Sequence, residues 1–155
     1  MKKTENIIGL ILFTLYLLQY LAQLEFDYLT QLQTNSTYRH WSGFVLFLFI
    51  LGQWVLPIFR GVFDMKGKAI ERMHSIHNLL GVTSPIVFYL HSSRPDYGLL
   101  LLLTVVFFMN LLVGLSLNCD SYNKYFRFGL VLHVIMSAQI MISTILHIWI
   151  VFIYN

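Results

Sequence analysis

The sequence predicts an all-α fold: a transmembrane helical bundle of about five spans. Composition and hydropathy patterning carry this reading. Of 155 residues, 57% are hydrophobic and only 11% are charged, and the mean hydropathy is +0.70. A soluble domain of this size needs far more polar side chains to cover its surface. Apolar runs close to twenty residues long recur along the chain, and such runs cross a hydrocarbon core of about 30 Å as helices.

The first expected span covers 6–24, behind Lys2 and Lys3. A basic start before an apolar stretch also resembles a signal peptide. The stretch is long for that role and shows no small-residue cleavage pattern, so a retained span is expected. The second span is placed at 41–59, the third at 73–91, the fourth at 97–117 and the fifth at 127–153, with short polar connections between them. The whole of 1–155 reads as a single membrane domain, with the first span as an addition to a core over about 40–153.

Charge fixes an expected orientation. With the N-terminus inside, the inner side holds Lys2, Lys3, Arg60, Lys66, Lys68, Arg72, Lys124 and Arg127, whereas the outer side holds only Arg39 and Arg94. That bias puts the C-terminus outside, in a multi-pass protein of a bacterial-type inner membrane. The third and fifth spans then both run outward. A formal charge of +3 does not imply a nucleic-acid partner, because the basic residues sit in short loops of an apolar chain. Cys119 is the one cysteine, so neither an intrachain disulfide framework nor a CxxCH haem-attachment motif is available.

Two segments carry the chemistry. "HNLLGVTSPIVFYLH" runs from His77 to His91, and "HVIMSAQIMISTILH" runs from His133 to His147. Fourteen residues of α-helix advance about 1,400°, within about 40° of four full turns, and rise roughly 21 Å. Each helix therefore presents two imidazoles in one direction, one near each membrane edge. His77 lies five positions after Arg72 and His133 six after Arg127, so the two helices offer histidines at matching depths. Two facing imidazoles at each of two levels suit a haem iron, which takes axial ligands on opposite sides of a flat macrocycle. Gly81, Ser137 and Thr144 are small residues that leave room for one, and Pro85 can bend the third span between the levels. A histidine in a membrane helix also serves more simply as a hydrogen-bond partner or an interfacial group, and that alternative stands for each one taken alone.

With both segments in view, the chain resembles the membrane domain of the ferric reductase and NADPH oxidase superfamily. It is also similar to the dihaem helical core of respiratory cytochrome b. The resemblance covers roughly 40–150. It implies two non-covalent b-type haems between the third and fifth helices, with His77 and His133 on the inner haem and His91 and His147 on the outer. It further implies electron transfer across the membrane from a cytoplasmic reductase or a quinol to an outer acceptor. The chain departs from the ferric reductase pattern in having five expected spans rather than six. It also lacks a glycine-rich dinucleotide fingerprint, so no flavin or NAD is expected in it.

Arg72 and Arg127 inside, and Arg94 outside, are candidate partners for haem propionates. For the inner pair, the topological charge bias is an equal explanation, and for Arg94 so is a local ion pair with Asp96. His74, one turn before His77, reads as an interfacial residue rather than a rival ligand or half of a metal site. Phe88 and Phe107 read as core packing, with contact to a porphyrin as the alternative. Gln53 and Gln139 read as interhelical hydrogen-bonding groups, with a quinone or proton site as the alternative. Membrane lipid and possible partner subunits complete the expected surroundings. Three other functional readings remain open: a quinol-linked subunit of a larger oxidoreductase, a haem-free transporter using its histidines for protons or metal, and a structural subunit without a cofactor.

Overall fold

Backbone polar groups in a hydrocarbon core find partners only within a helix or a closed barrel. The structure, a computed structural model, describes residues 2–63, 66–95, 98–119 and 124–154. Among these residues it has six helices and no strand: α1 (Lys2–Leu21), α2 (Asp27–Thr34), α3 (Ser36–Gly61), α4 (Lys68–His91), α5 (Leu99–Cys119) and α6 (Phe126–Tyr154).

Four of these helices, α1, α3, α5 and α6, are long and apolar enough to cross a membrane. The third expected span falls in α4, which does not meet that description. Length is not the obstacle, since its 24 residues rise about 36 Å. Its composition is, because Lys68, Glu71, Arg72, His74, Ser75, His77 and Asn78 crowd its first half. Farther along, its hydroxyls are satisfied within the helix. Thr83 Oγ1 donates to the Leu79 carbonyl at 2.8 Å and Ser84 Oγ to that of Gly81 at 2.7 Å.

The expected polar connection between the first two spans is also different. It contains α2, and α3 begins at Ser36 rather than near 41. Asn35 separates the two helices, and its side chain accepts from the Tyr38 backbone N–H at 3.1 Å. That satisfies one of the donors a helix start leaves unpaired.

The chain divides into two compact units. Ile7–Ser93 forms one, and Arg94–Asn155 with Met1–Asn6 forms the other. In the first, α3 and α4 are an antiparallel pair: Gly52 meets Leu80, Gln53 meets Gly81 and Ser42 meets His91. Tyr16 of α1 stands edge-on to Phe88 and Tyr89, with ring centroids 5.7 and 6.3 Å away. Gln33 of α2 reaches the end of α4, where its Nε2 donates to the carbonyls of Tyr89 at 2.9 Å and Leu90 at 3.1 Å. Its Oε1 accepts from Ser93 Oγ at 2.7 Å. Tyr38 adds a hydroxyl bond to the Leu90 carbonyl at 3.0 Å. These groups fill carbonyls that a helix C-terminus otherwise leaves open.

In the second unit, α5 and α6 are likewise antiparallel, with Leu117 against Gly129 and Asn110 against Ser137. Asn6 Nδ2 donates to the Leu115 carbonyl at 3.2 Å. The two sides of α6 differ. Ile140 and Thr144 are buried at 4% and 7% exposure, whereas Ile142 is 68% exposed and Ile135, Ile145 and Trp149 also stand out from the protein. An apolar face of this kind is unfavourable in water and suits a hydrocarbon surrounding.

Candidate functional site

On α4 the positions His77, Gly81, Ser84, Phe88 and His91 follow a spacing of four, three, four and three residues, which keeps them on one face. Ser84 and Phe88 are buried, and both histidines are half-buried. On α6 the positions His133, Ser137, Ile140, Thr144 and His147 repeat that spacing. Ile140 and Thr144 are buried and the histidines half-buried. Each predicted histidine pair thus lies along a single helix face. The pairs belong to different units.

What holds each ring in place was not apparent from the sequence. His77 Nδ1 donates to the carbonyl oxygen of Gln53 on α3, at 3.0 Å. His133 Nδ1 donates to the carbonyl oxygen of Asn110 on α5, at 3.2 Å. A carbonyl is only an acceptor, so each ring carries its proton on Nδ1 and, when neutral, its lone pair on Nε2. The surroundings repeat as well. The Gln53 carboxamide lies against Gly81, four residues after His77. The Asn110 carboxamide donates from Nδ2 to Ser137 Oγ, four residues after His133, at 3.0 Å.

His91 is held differently. Its Nδ1 lies 3.1 Å from Ser42 Oγ. The same hydroxyl also lies within reach of the Arg39 carbonyl, at 3.3 Å. Two glycines admit the rings. A Cβ on Gly43 would lie 2.9 Å from His91 Cε1, and one on Gly114 would lie 3.1 Å from His133 Cε1. Any side chain at Gly43 would displace the imidazole.

His74 is distinguished from His77 by the opposite arrangement. Asn78 Nδ2 donates to His74 Nδ1 at 3.3 Å, which uses that nitrogen's lone pair and leaves the proton on Nε2. Among the described residues, no group of three or more His, Cys, Asp or Glu side chains could hold a metal ion, so His74 and His77 gather no third ligand.

The remaining candidates are placed as follows. Arg72 and Arg127 are exposed in the first turns of α4 and α6, and Arg94 is exposed between α4 and α5. Asp96, its expected ion partner, lies outside the described residues. Phe88 packs edge-on with Tyr16 and Phe107 with Phe108, as core residues do. Gln139 is exposed rather than part of an interhelical bond. Gln53 Nε2, Asn110 Oδ1 and Thr144 Oγ1 are buried and have no hydrogen-bond partner among the described residues. Thr144 departs from Thr14, Thr83 and Thr104, whose hydroxyls return to the carbonyl four residues before them.

No family model, characterised protein or solved structure matches the chain.

Proposed function

We propose that the chain is a membrane-embedded b-type cytochrome with two non-covalent haems whose axial ligands are imidazoles of α4 and α6. His77 and His133 ligate the haem of the inner level, and His91 and His147 that of the outer level. The observation that carries this reading is the pair of matched histidine faces. It is strengthened by the Nδ1 anchoring of His77, His91 and His133. Metal-ligating histidines almost always donate their second N–H to a fixed acceptor, which sets ring orientation and raises ligand basicity.

Small residues recur between the histidines. Gly81 and Ser84 on α4, and Ser137 and Thr144 on α6, are small. The buried Thr144 hydroxyl lacks a partner among the described residues and offers a donor to a group seated there. A haem bound in this way supplies a reversible one-electron couple with both axial positions filled. Arg72, Arg127 and Arg94 are the candidate partners for its propionates.

The resulting function is electron transfer across the membrane, from a cytoplasmic-side reductase or a membrane quinol to an outer acceptor. α4 crosses the membrane in this arrangement as the third of five spans, with His77 and His91 as its functional polar groups. The test is a pyridine haemochrome assay on the purified full-length chain against protein concentration. Two b-type haems per chain are expected, with a Soret band in the native protein. A chain that takes up no haem refutes the proposal and favours a transporter or a structural subunit.

A further inference from the structure

α3 is 26 residues long and rises about 39 Å, more than the roughly 30 Å of a hydrocarbon core. Where it crosses a membrane, its last turn therefore reaches the headgroup region. That turn and the start of α4 are basic. Residues 60–72 hold Arg60, Lys66, Lys68 and Arg72 against Asp64 and Glu71, a surplus of positive charge. The antiparallel register that sets Gly52 against Leu80 and Gln53 against Gly81 brings Arg60 level with Arg72, and Lys68 lies one turn before Arg72. Arg60, Lys68 and Arg72 are all exposed. Beside them Val62 and Phe63 are 73% and 63% exposed, and the Phe63 ring centroid lies 5.4 Å from that of Phe59. All of these residues belong to one compact unit.

We propose that this closing end of the α3–α4 pair binds an anionic phospholipid, with Arg60, Lys68 and Arg72 on its headgroup and Val62 and Phe63 against its chains. The charge surplus sets the sign of the partner. Two guanidinium groups at one level repel each other, and an anion shared by both offsets that, because phosphate oxygens accept paired N–H bonds from arginine. The exposed apolar pair separates a lipid from a free phosphate. A soluble anion has nothing to cover Val62 and Phe63, whereas a lipid brings hydrocarbon together with its charge. The usual bias of basic residues toward one side of a membrane accounts for cations at this end but not for the exposed Val62 and Phe63 beside them. The inference rests on α3 crossing the membrane and not on the binding of haem.

The test is to equilibrate the full-length chain in detergent with equal parts of phosphatidylglycerol and phosphatidylcholine, and to quantify the lipid that co-purifies by mass spectrometry. The wild type should retain phosphatidylglycerol in preference, and less so at high salt, a measurement that needs no variant. Arg72 is also a candidate for a haem propionate, so the variant carries Arg60→Gln and Lys68→Gln. At about fivefold per cation near an anionic surface, its preference for phosphatidylglycerol should fall roughly twenty-five-fold. Lys124→Gln with Arg127→Gln removes as much charge at the start of α6 and should leave the preference in place. Phe63→Ser keeps the cations and should weaken retention of phosphatidylglycerol. Equal loss in the two double variants reduces the effect to net charge and overturns the inference, as does equal retention of the two lipids by the wild type. Displacement of phosphatidylglycerol by millimolar inorganic phosphate would make this a site for any phosphate and overturn the lipid assignment. None of these readouts uses haem content, so a chain without haem refutes the proposed function and leaves this inference standing.

Discussion

His77 Nδ1 and the carbonyl oxygen of Gln53, 3.0 Å apart, tie a polar stretch of α4 to the apolar α3. The same bond separates His77 from His74, whose Nδ1 accepts from Asn78. Histidine substitutions should therefore sort by proton position. His77→Ala should lower haem content from two toward one, and His91→Ala should do the same at the other level. His74→Ala should leave two. Haemochrome quantification of the three variants decides this. Loss of haem on removal of His74 but not His77 would reverse the assignment.

The glycine contacts give a graded expectation. Overfilling a packed site costs about 1–3 kcal/mol. Gly43→Ala places a methyl 2.9 Å from the His91 ring and should displace it, with loss of one haem. Gly114→Ala leaves 3.1 Å to His133, a gap that a small ring shift can absorb, so it should keep both haems with a shifted Soret band. Equal haem loss in the two variants would contradict this ordering.

Gln33 should matter for stability. It closes the end of α4 through two carbonyls and Ser93. Gln33→Ala should destabilise the chain by about 3 kcal/mol, at a net of about 1 kcal/mol for each of the three bonds. Hydrogen exchange should rise first at the last turn of α4. Unchanged exchange there would show that Tyr38 alone suffices as the cap.

Topology separates four spans from five. If only α1, α3, α5 and α6 cross, the termini share a side. If α4 crosses as well, they lie on opposite sides, as the basic residues indicate. A C-terminal reporter that is active only in the cytoplasm should be silent while an N-terminal one is active. Two active reporters would remove α4 from the membrane and with it the two-level arrangement.

Direction can be measured in oriented vesicles. A reductant on the cytoplasmic face should reduce both haems, and an impermeant oxidant on the other face should reoxidise them. A full outward crossing gains about 2.3 kcal/mol per 100 mV of inside-negative potential. His91→Ala should accept electrons normally and pass them on slowly. Wild-type delivery by that variant would mean that another carrier completes the route.

The helices were legible where hydrophobicity alone forms them, as in α3, α5 and α6. α2 was hidden because "DYLTQLQT" is short and polar, and Gln33 holds it through the end of α4, a contact no local pattern encodes. α4 was legible as a helix, but the partners that serve its polar residues lie on other elements. The histidine spacing was visible because it repeats within single helices. Gln53 and Asn110 were not visible as histidine anchors, because they act through main-chain oxygens that every residue possesses. Gly43 and Gly114 acquire meaning only from the pairing of neighbouring helices.

The two kinds of anchor differ in how they respond to evolutionary change. A backbone carbonyl persists through almost any codon change, so drift at positions 53 and 110 can alter the carboxamides yet leave the His77 and His133 bonds in place. The His91 bond depends on a hydroxyl that one nucleotide substitution can delete. The placement of the His77 and His133 rings is thus insensitive to drift at positions 53 and 110, whereas that of the His91 ring can be altered by a change at position 42 while the rest of the helical frame stays the same.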